Sequence, residues 1–427
     1  MNADVELPSG WRWSTLGEAC DLNPHRDKLN GASPDTPVTF VPMPAVDAAL
    51  GVITSPQIRA LKDVQKGYTS FRQGDVIMAK ITPCMENGKA AVVQVLENGL
   101  GFGSTEFHVL RPNGQAIAEF LYHFIRQESF RRLAESNMTG SVGQRRVPAA
   151  FLRDAPVPLP PIEEQRRIAT KLDDLLGRVA ATRERLDRVP TILRRFRQSV
   201  LAAAVSGRLT EDLNGGADDP HPQGWCATTL GELASLVTSG SRGWAKYYSD
   251  DGPLFIRSED INTDALRITS AAHVSPPASG EGLRTRVFQN DILITITGAN
   301  VTKTAVVVEP VAEAYVSQHV GLVRLRQPSL SRFVHLCLLS ERHGRGQLRK
   351  AAYGAGKPGL NLTNLREVPL ALPPSDEAEE ILRRTLAILG IGERVAARSQ
   401  AAARAMERMR ETVLARAFRG ELVPAMV

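Results

Sequence analysis

The side chains best equipped to do chemistry here sit in short polar loops rich in Lys, Arg, Asn and Gly. Thr82, Glu86, Asn87 and Lys89, with Lys80 at the end of the first run, lie in a loop between two apolar runs, Asp75–Ile81 and Ala90–Val93, that read as buried strands. Lys and Asn in such a loop can meet phosphates or base edges. The plainer reading is a polar hairpin closed by Asn87-Gly88, a strong turn pair. A later stretch, Ser239–Tyr248, mixes Ser241, Arg242, Trp244, Lys246 and Tyr247 without apolar periodicity. Arg242 could read guanine or a phosphate, Lys246 adds charge, and Trp244 and Tyr247 either reach a ligand or pack underneath. Ser104, Thr105, Asn300, Thr302 and Lys303 are further polar candidates. The Gly-rich loops 140–146 and 354–359 carry Arg145, Arg146 and Lys357, which suits close backbone approach to phosphate or a mere hinge. His108 and His319 read as core or turn residues, and Gly99-Leu100-Gly101-Phe102-Gly103 as a hairpin turn.

Catalytic signatures are missing. No GxxxxGK[ST] loop is present, no Lys follows an acidic residue at spacing two, and no Pro-Pro pair is preceded by Asn or Asp. The eight His residues form no HxxxH or HExxH pair. Neither a catalytic set nor a metal site is expected. Cys20, Cys84, Cys226 and Cys337 stand singly, which argues against structural zinc and a disulfide framework and for a reducing cytoplasm. No apolar run is long enough to span a membrane, and the N-terminal residues do not read as a signal peptide.

The net charge of +6 resides in two stretches: residues 162–210 hold 11 basic against 6 acidic side chains, and residues 375–421 hold 9 against 8. Bulk charge is therefore weak evidence for a nucleic-acid partner.

The elements that must position the loops occur twice. A shift of about 213 residues lays the first half on the second. Trp11 and Thr15-Leu16-Gly17-Glu18 return as Trp225 and Thr229-Leu230-Gly231-Glu232, and Asp75–Ile81 returns as Asp291–Thr297. Ala90–Val93 matches Thr304–Val307, and helical patterns follow at 116–135 and 331–351. Such a period is too long for a solenoid, whose repeats run roughly 20 to 50 residues. It marks two related domains acting on two places in one partner.

A heptad rhythm then sets in. Ile168, Leu172, Leu175, Val179, Leu186, Leu193, Phe196 and Val200 form a seam in the first copy, with Pro190 as a kink rather than a stop. Ile381, Ile388, Val395, Met406, Met409 and Val413 hold the same phase in the second, with Gly392 and Ala402 as smaller partners. A helix from 163 to 205 is on the order of 65 Å long, so it must stand clear of the globular parts or run between them. Each helix follows a Pro and opens on acidic residues, Glu163-Glu164 and Asp376-Glu377. The expected architecture is α+β: two repeated globular domains, 1–155 and 222–368, and two long helical segments, 156–210 and 369–427, joined by a linker at 211–221. Antiparallel pairing of the helices into a coiled coil would relate the domains by an approximate two-fold axis.

The chain resembles the specificity subunit of type I restriction-modification systems over nearly its whole length. In the first copy the likeness is carried by Lys66–Phe71, Gly74–Val76, Ala79–Lys89, Gly103–Phe107, Val109–Pro112 and Pro158–Gln165. In the second it is carried by Gly240–Tyr248 and Ser317–Gly321, while the counterpart of Pro158–Gln165 at 371–378 lacks the Gln. The resemblance implies a non-catalytic subunit whose two target-recognition domains each read half of a split, asymmetric sequence in double-stranded DNA. It implies that the helix pair spaces the half-sites and docks two modification subunits, with two restriction subunits completing the complex. S-adenosylmethionine, ATP and Mg would belong to those partners, and no cofactor to this chain. The competing readings are a stand-alone DNA methyltransferase or nuclease with unfamiliar motifs, and a coiled-coil scaffold without a DNA role.

Overall fold

A computed structural model describes residues 6–26, 32–215, 222–240, 242–276, 280–353 and 358–424. The chain divides into two units, Met1–Asp187 with Ser399–Val427, and Arg188–Arg398.

Each unit is built on the same four-stranded antiparallel sheet. In the first, β1 (Cys20–Leu22), β2 (Val76–Ala79), β3 (Ala90–Val92) and β4 (Phe107–Pro112) lie in the order β1-β4-β2-β3. In the second, β5 (Ala234–Ser239), β6 (Ile292–Thr295), β7 (Thr304–Val306) and β8 (Val320–Leu325) lie in the order β5-β8-β6-β7. The central strands β2 and β6 are buried at every residue, which is why both read as unbroken apolar runs. The turn before each is fixed by one aspartate. Asp75 accepts the Arg72 N–H at 2.9 Å and two bonds from Arg111 of β4, at 2.9 and 2.8 Å. Asp291 accepts the Phe288 N–H at 2.8 Å and two bonds from Arg324 of β8, at 2.8 and 2.7 Å. The residue before each aspartate has left-handed backbone (φ 83° at Gly74, 68° at Asn290), a place that favours Gly and Asn.

The repeated Thr-Leu-Gly-Glu is a capping box in both units. Thr15 accepts the Glu18 N–H at 3.3 Å and Glu18 accepts the Thr15 N–H at 3.2 Å; Thr229 and Glu232 repeat this at 3.3 and 2.9 Å.

A second, less similar sheet covers each first one. In the first unit Gln57–Ala60, Pro37–Val41, Gly101–Gly103 and Thr69–Phe71 are neighbours in that order, with 37–41 and 101–103 parallel. The second unit has His273–Val274, Tyr248–Ile256 and Ala314–Val316, the last two parallel. The hairpin turn expected at Gly99–Gly103 is thus a strand from Gly101. Its glycines serve packing, since a Cβ on Gly101 would meet the Phe71 ring at 2.4 Å and one on Gly103 the Val41 carbonyl oxygen at 2.7 Å. Each predicted helical stretch is two helices, Ala118–Ile125 with Glu128–Ser136, and Ser331–Leu339 with Gly344–Ala351.

The long helices are α1 (Ile162–Ala204) and α2 (Ser375–Ala417), 43 residues each, with Pro190 inside α1. Within the first unit, Ile168 and Leu172 of α1 share a core with Leu414 and Ala417 of α2, while Arg183 reaches the Ala403 carbonyl at 3.5 Å. Within the second, Leu201 and Ala204 share a core with Ala378 and Ile381, and the Phe196 ring lies 3.5 Å from where a Cβ on Gly392 would sit. Within each unit, rising numbers along α1 meet falling numbers along α2, so the pairing is antiparallel. Val200 and Ile381 are buried, and Leu175, Val179, Leu186, Leu193, Ile388, Met406 and Val413 half-buried. Three seam expectations are corrected: Met409 is 49%, Val395 43% and Phe196 37% exposed. A helix of 3.6 residues per turn drifts against a seven-residue repeat, so Leu414 and Ala417 take the inward positions near the end of α2. There Phe418 packs on Phe120 and Phe124, ring centres 5.0 and 5.4 Å away. Among the described residues no helix is long and apolar enough to cross a membrane.

Candidate nucleic-acid interface

Beyond the end of β2, Lys80 donates its N–H to the Glu106 carbonyl at 2.9 Å and accepts the Val147 N–H at 2.8 Å. Beyond β6, Ile296 donates to the His319 carbonyl at 2.9 Å and accepts the Leu360 N–H at 2.7 Å. The same three segments are stitched together in both units, so Lys80 corresponds to Ile296, Glu106 to His319, and Arg146 to Gly359. One backbone frame carries two different sets of side chains.

Each frame borders an open cleft. The first, about 470 Å³, is lined by Asn23, Thr69, Ser70, Lys80, His108 and Arg146. Arg146 grips Glu106 with Nε to Oε2 at 3.0 Å and Nη2 to Oε1 at 2.8 Å. Those hydrogen bonds hold Glu106 below the usual carboxylate range, leaving an ionised acceptor beside two cations. His108 is buried with Nε2 2.8 Å from the Val147 oxygen, and burial pushes its pKa down, favouring the neutral ring. The second cleft, about 390 Å³, is lined by Trp244, Tyr248, Arg257, Ser317, Gln318 and His319. Gln318 and His319 are exposed, and His319 Nδ1 lies 2.6 Å from Thr297 Oγ1. Arg257 pairs with Glu259 at 2.6 Å. Two cations, one of them fixed by a carboxylate, suit phosphates and base acceptors, whereas an amide, an imidazole and a phenol suit mixed donor and acceptor edges.

The sequence candidates divide. Lys80 lines the first cleft, Asn87 and Thr105 are exposed, and Ser104 is half-buried. Thr82 is turned inward, donating to Glu86 at 2.7 Å, and Lys89 donates to the Met43 carbonyl at 3.1 Å. Arg145 pairs with Glu135 at 3.7 Å. In the second unit Arg242 and Lys246 are exposed, the latter 4.9 Å from the Tyr247 ring centre. Trp244 is 3% exposed and stacks on Phe255 at 5.8 Å, so it packs underneath rather than standing at the surface. Thr302 is equally buried, Lys303 donates to Asp264 at 3.2 Å, and Asn300 donates to the Ser258 carbonyl at 3.3 Å. Ser241 and Lys357 lie outside the described residues. His108 is the core residue expected of it, while His319 stands on a cleft. The 213-residue offset, applied to Glu106, points directly to His319.

The family described as "Type I restriction modification DNA specificity domain" matches residues 8–191. The chain is 42% identical over 173 residues to the type I restriction enzyme EcoAI specificity subunit of Escherichia coli, a match covering 40% of this chain and 29% of that relative. It is 31% identical over 374 residues to the StySPI specificity subunit of Salmonella potsdam, covering 84% of this chain and 77% of that relative. Among solved structures, the HsdS subunit from Thermoanaerobacter tengcongensis is 25% identical with a TM-score of 0.63, covering 98% and 99% of the two chains. A chain from work on complex assembly and conformational transition of the type I R-M system is 25% identical with a TM-score of 0.74, covering 97% and 99%.

Proposed function

The chain belongs to the family of type I restriction enzyme specificity subunits, and we propose that it is the DNA-reading, non-catalytic subunit of a type I restriction-modification complex. Residues 1–155 and 222–368 are the two target-recognition domains, each engaging one half of an asymmetric bipartite sequence in double-stranded DNA. The observation that carries this reading is the shared frame with unlike side chains, Glu106 and Arg146 in one unit, His319 and Gly359 in the other. A shared backbone frame accounts for the same docking mode, and different side chains for two different words. Lys80, Asn87, Thr105 and Arg145 serve the first half-site, and Arg242, Lys246, Gln318 and His319 the second.

The helical segments 156–210 and 369–427 set the accepted gap, and two weak readings become one strong reading by effective concentration. Two modification subunits dock on those helices, and two restriction subunits complete the assembly in the cytoplasm. S-adenosylmethionine, ATP and Mg are used by those partners. The test is to express the chain with its modification subunits in a host without adenine methylation and to map the methylated adenines. A split, asymmetric word is expected; an uninterrupted or palindromic word overturns the reading, and methylation by the chain alone favours an enzyme.

A further inference from the structure

The loop that carries Asn87 is braced from the opposite end of the sequence. Arg131 runs beneath the Asn87-Gly88 turn, its Cδ 3.4 Å from where a Cβ on Gly88 would sit, and donates Nη1 to the Glu86 carbonyl at 2.6 Å. Its Nε donates to the Arg126 carbonyl at 3.3 Å, and its Nη2 lies 3.6 Å from Glu411 Oε1 of α2. The other Glu411 oxygen accepts the Glu128 N–H at 3.1 Å, at the start of the helix that bears Arg131. One carboxylate of a long helix thus holds both the helix start and the guanidinium that holds the loop.

The second unit solves the same problem differently. Gln198 of α1 stands where Glu411 stands in the first, accepting the Glu341 N–H at 2.9 Å with a neutral amide. The brace there is Arg345, which donates to Asp264 at 2.8 Å; Asp264 in turn accepts from Lys303 at 3.2 Å and from the Thr304 N–H at 3.2 Å. Burial works against the charge on Asp264, but the Arg345 bonds and charge outweigh it and hold its pKa below the ordinary value. Each unit therefore uses an arginine to fix the loop that joins its central strand to the edge strand, directly in the first and through Asp264 in the second.

Resting on the reading above, we propose that Arg131 and Glu411 are positioning residues for the first half-site, and that they set recognition without touching DNA. A loop reader discriminates only as far as its loop is held in one place, because a mobile loop can follow a wrong base. Glu411→Gln tests this role; Arg410, whose Nη1 also lies 3.5 Å from Glu411 Oε1, keeps its bond to Glu407 at 3.2 Å. Gln198 shows that an amide fits the place and keeps the bond to the helix start, so the fold is retained while the charge on Arg131 loses its partner.

The experiment uses the full chain reconstituted with its modification subunits, and measures methylation on the cognate duplex and on duplexes with one base changed in either half. In Glu411→Gln, and more strongly in Arg131→Met, preference for the cognate first half falls about tenfold. The second-half preference and the melting temperature of Glu411→Gln stay as in the native chain. The first half is identified by its response to Asn87→Ala. Hydrogen exchange on the free chain supplies a readout independent of DNA: amides of residues 82–89 exchange about tenfold faster in the variants. Unchanged first-half preference, equal loss in both halves, or unaltered exchange at 82–89 overturns the proposal. A native chain without any split preference overturns the functional reading instead, while faster exchange at 82–89 still supports the brace.

Discussion

Trp11 donates its indole N–H to Glu164 at 3.1 Å, tying the start of the first domain to the first turn of α1, and Trp225 repeats the bond to Glu377 at 3.0 Å. Both tryptophans and both carboxylates are buried, which explains why Trp recurs at this place in each half of the sequence. The carboxylates also sit at the positive end of a long helix dipole. Glu377 accepts further bonds from Thr210 at 2.7 Å and Asn214 at 2.8 Å.

Trp11→Phe keeps an aromatic ring, though a smaller one, and removes the donor from a buried carboxylate, and should cost about 3 kcal/mol. Trp225→Phe leaves Glu377 its other donors and should cost about 1.5 kcal/mol. Urea denaturation of the two variants checks the order; equal costs would contradict the hydrogen-bond account.

The Asp75–Arg111 pair makes a second stability prediction. Asp75 is 1% and the Arg111 side chain 10% exposed, so Asp75→Ala takes from a buried guanidinium its two-bonded carboxylate. The expected cost is about 3 to 5 kcal/mol, whereas the double change Asp75→Leu with Arg111→Met should cost less. A double change as costly as the single one, by the same denaturation measurement, would show that the pair contributes more than the avoidance of a buried charge.

His335 gives a pH signature. It is buried beside the Thr304 carbonyl, and burial lowers its pKa from the ordinary 6.5 to about 4. The unfolded chain takes up a proton near 6.5 and the folded one only near 4, so the unfolded state is favoured as pH falls between these values. Stability present above pH 6.5 should therefore decline toward pH 4. His335→Gln should lack that part of the decline, read as a shallower dependence of the unfolding midpoint on pH; an identical dependence would contradict the assignment.

Much of this was legible in the sequence. Buried β2 and β6 announce themselves as apolar runs, and the long helices by heptads behind Pro161 and Pro374. The second sheets were not, because Gly101–Gly103 and Ala314–Val316 are only three residues each and pair in parallel with distant segments. Polar residues in loops were placed least well. Lys303 looks available in a linear reading, but its partner, Asp264, lies far back along the chain and is recognisable only once the chain has folded. Trp244 was ambiguous for the same reason, since Phe255 and Tyr315 lie far along the chain.

The central claim is that the two clefts read different words independently. Methylated adenines should be mapped for the native chain, for Glu106→Gln, and for His319→Ala, each expressed with the modification subunits. Each variant should relax or alter one half of the split word, the two variants in opposite halves, with the gap unchanged. Loss spread evenly over both halves, or both variants acting on the same half, would contradict it.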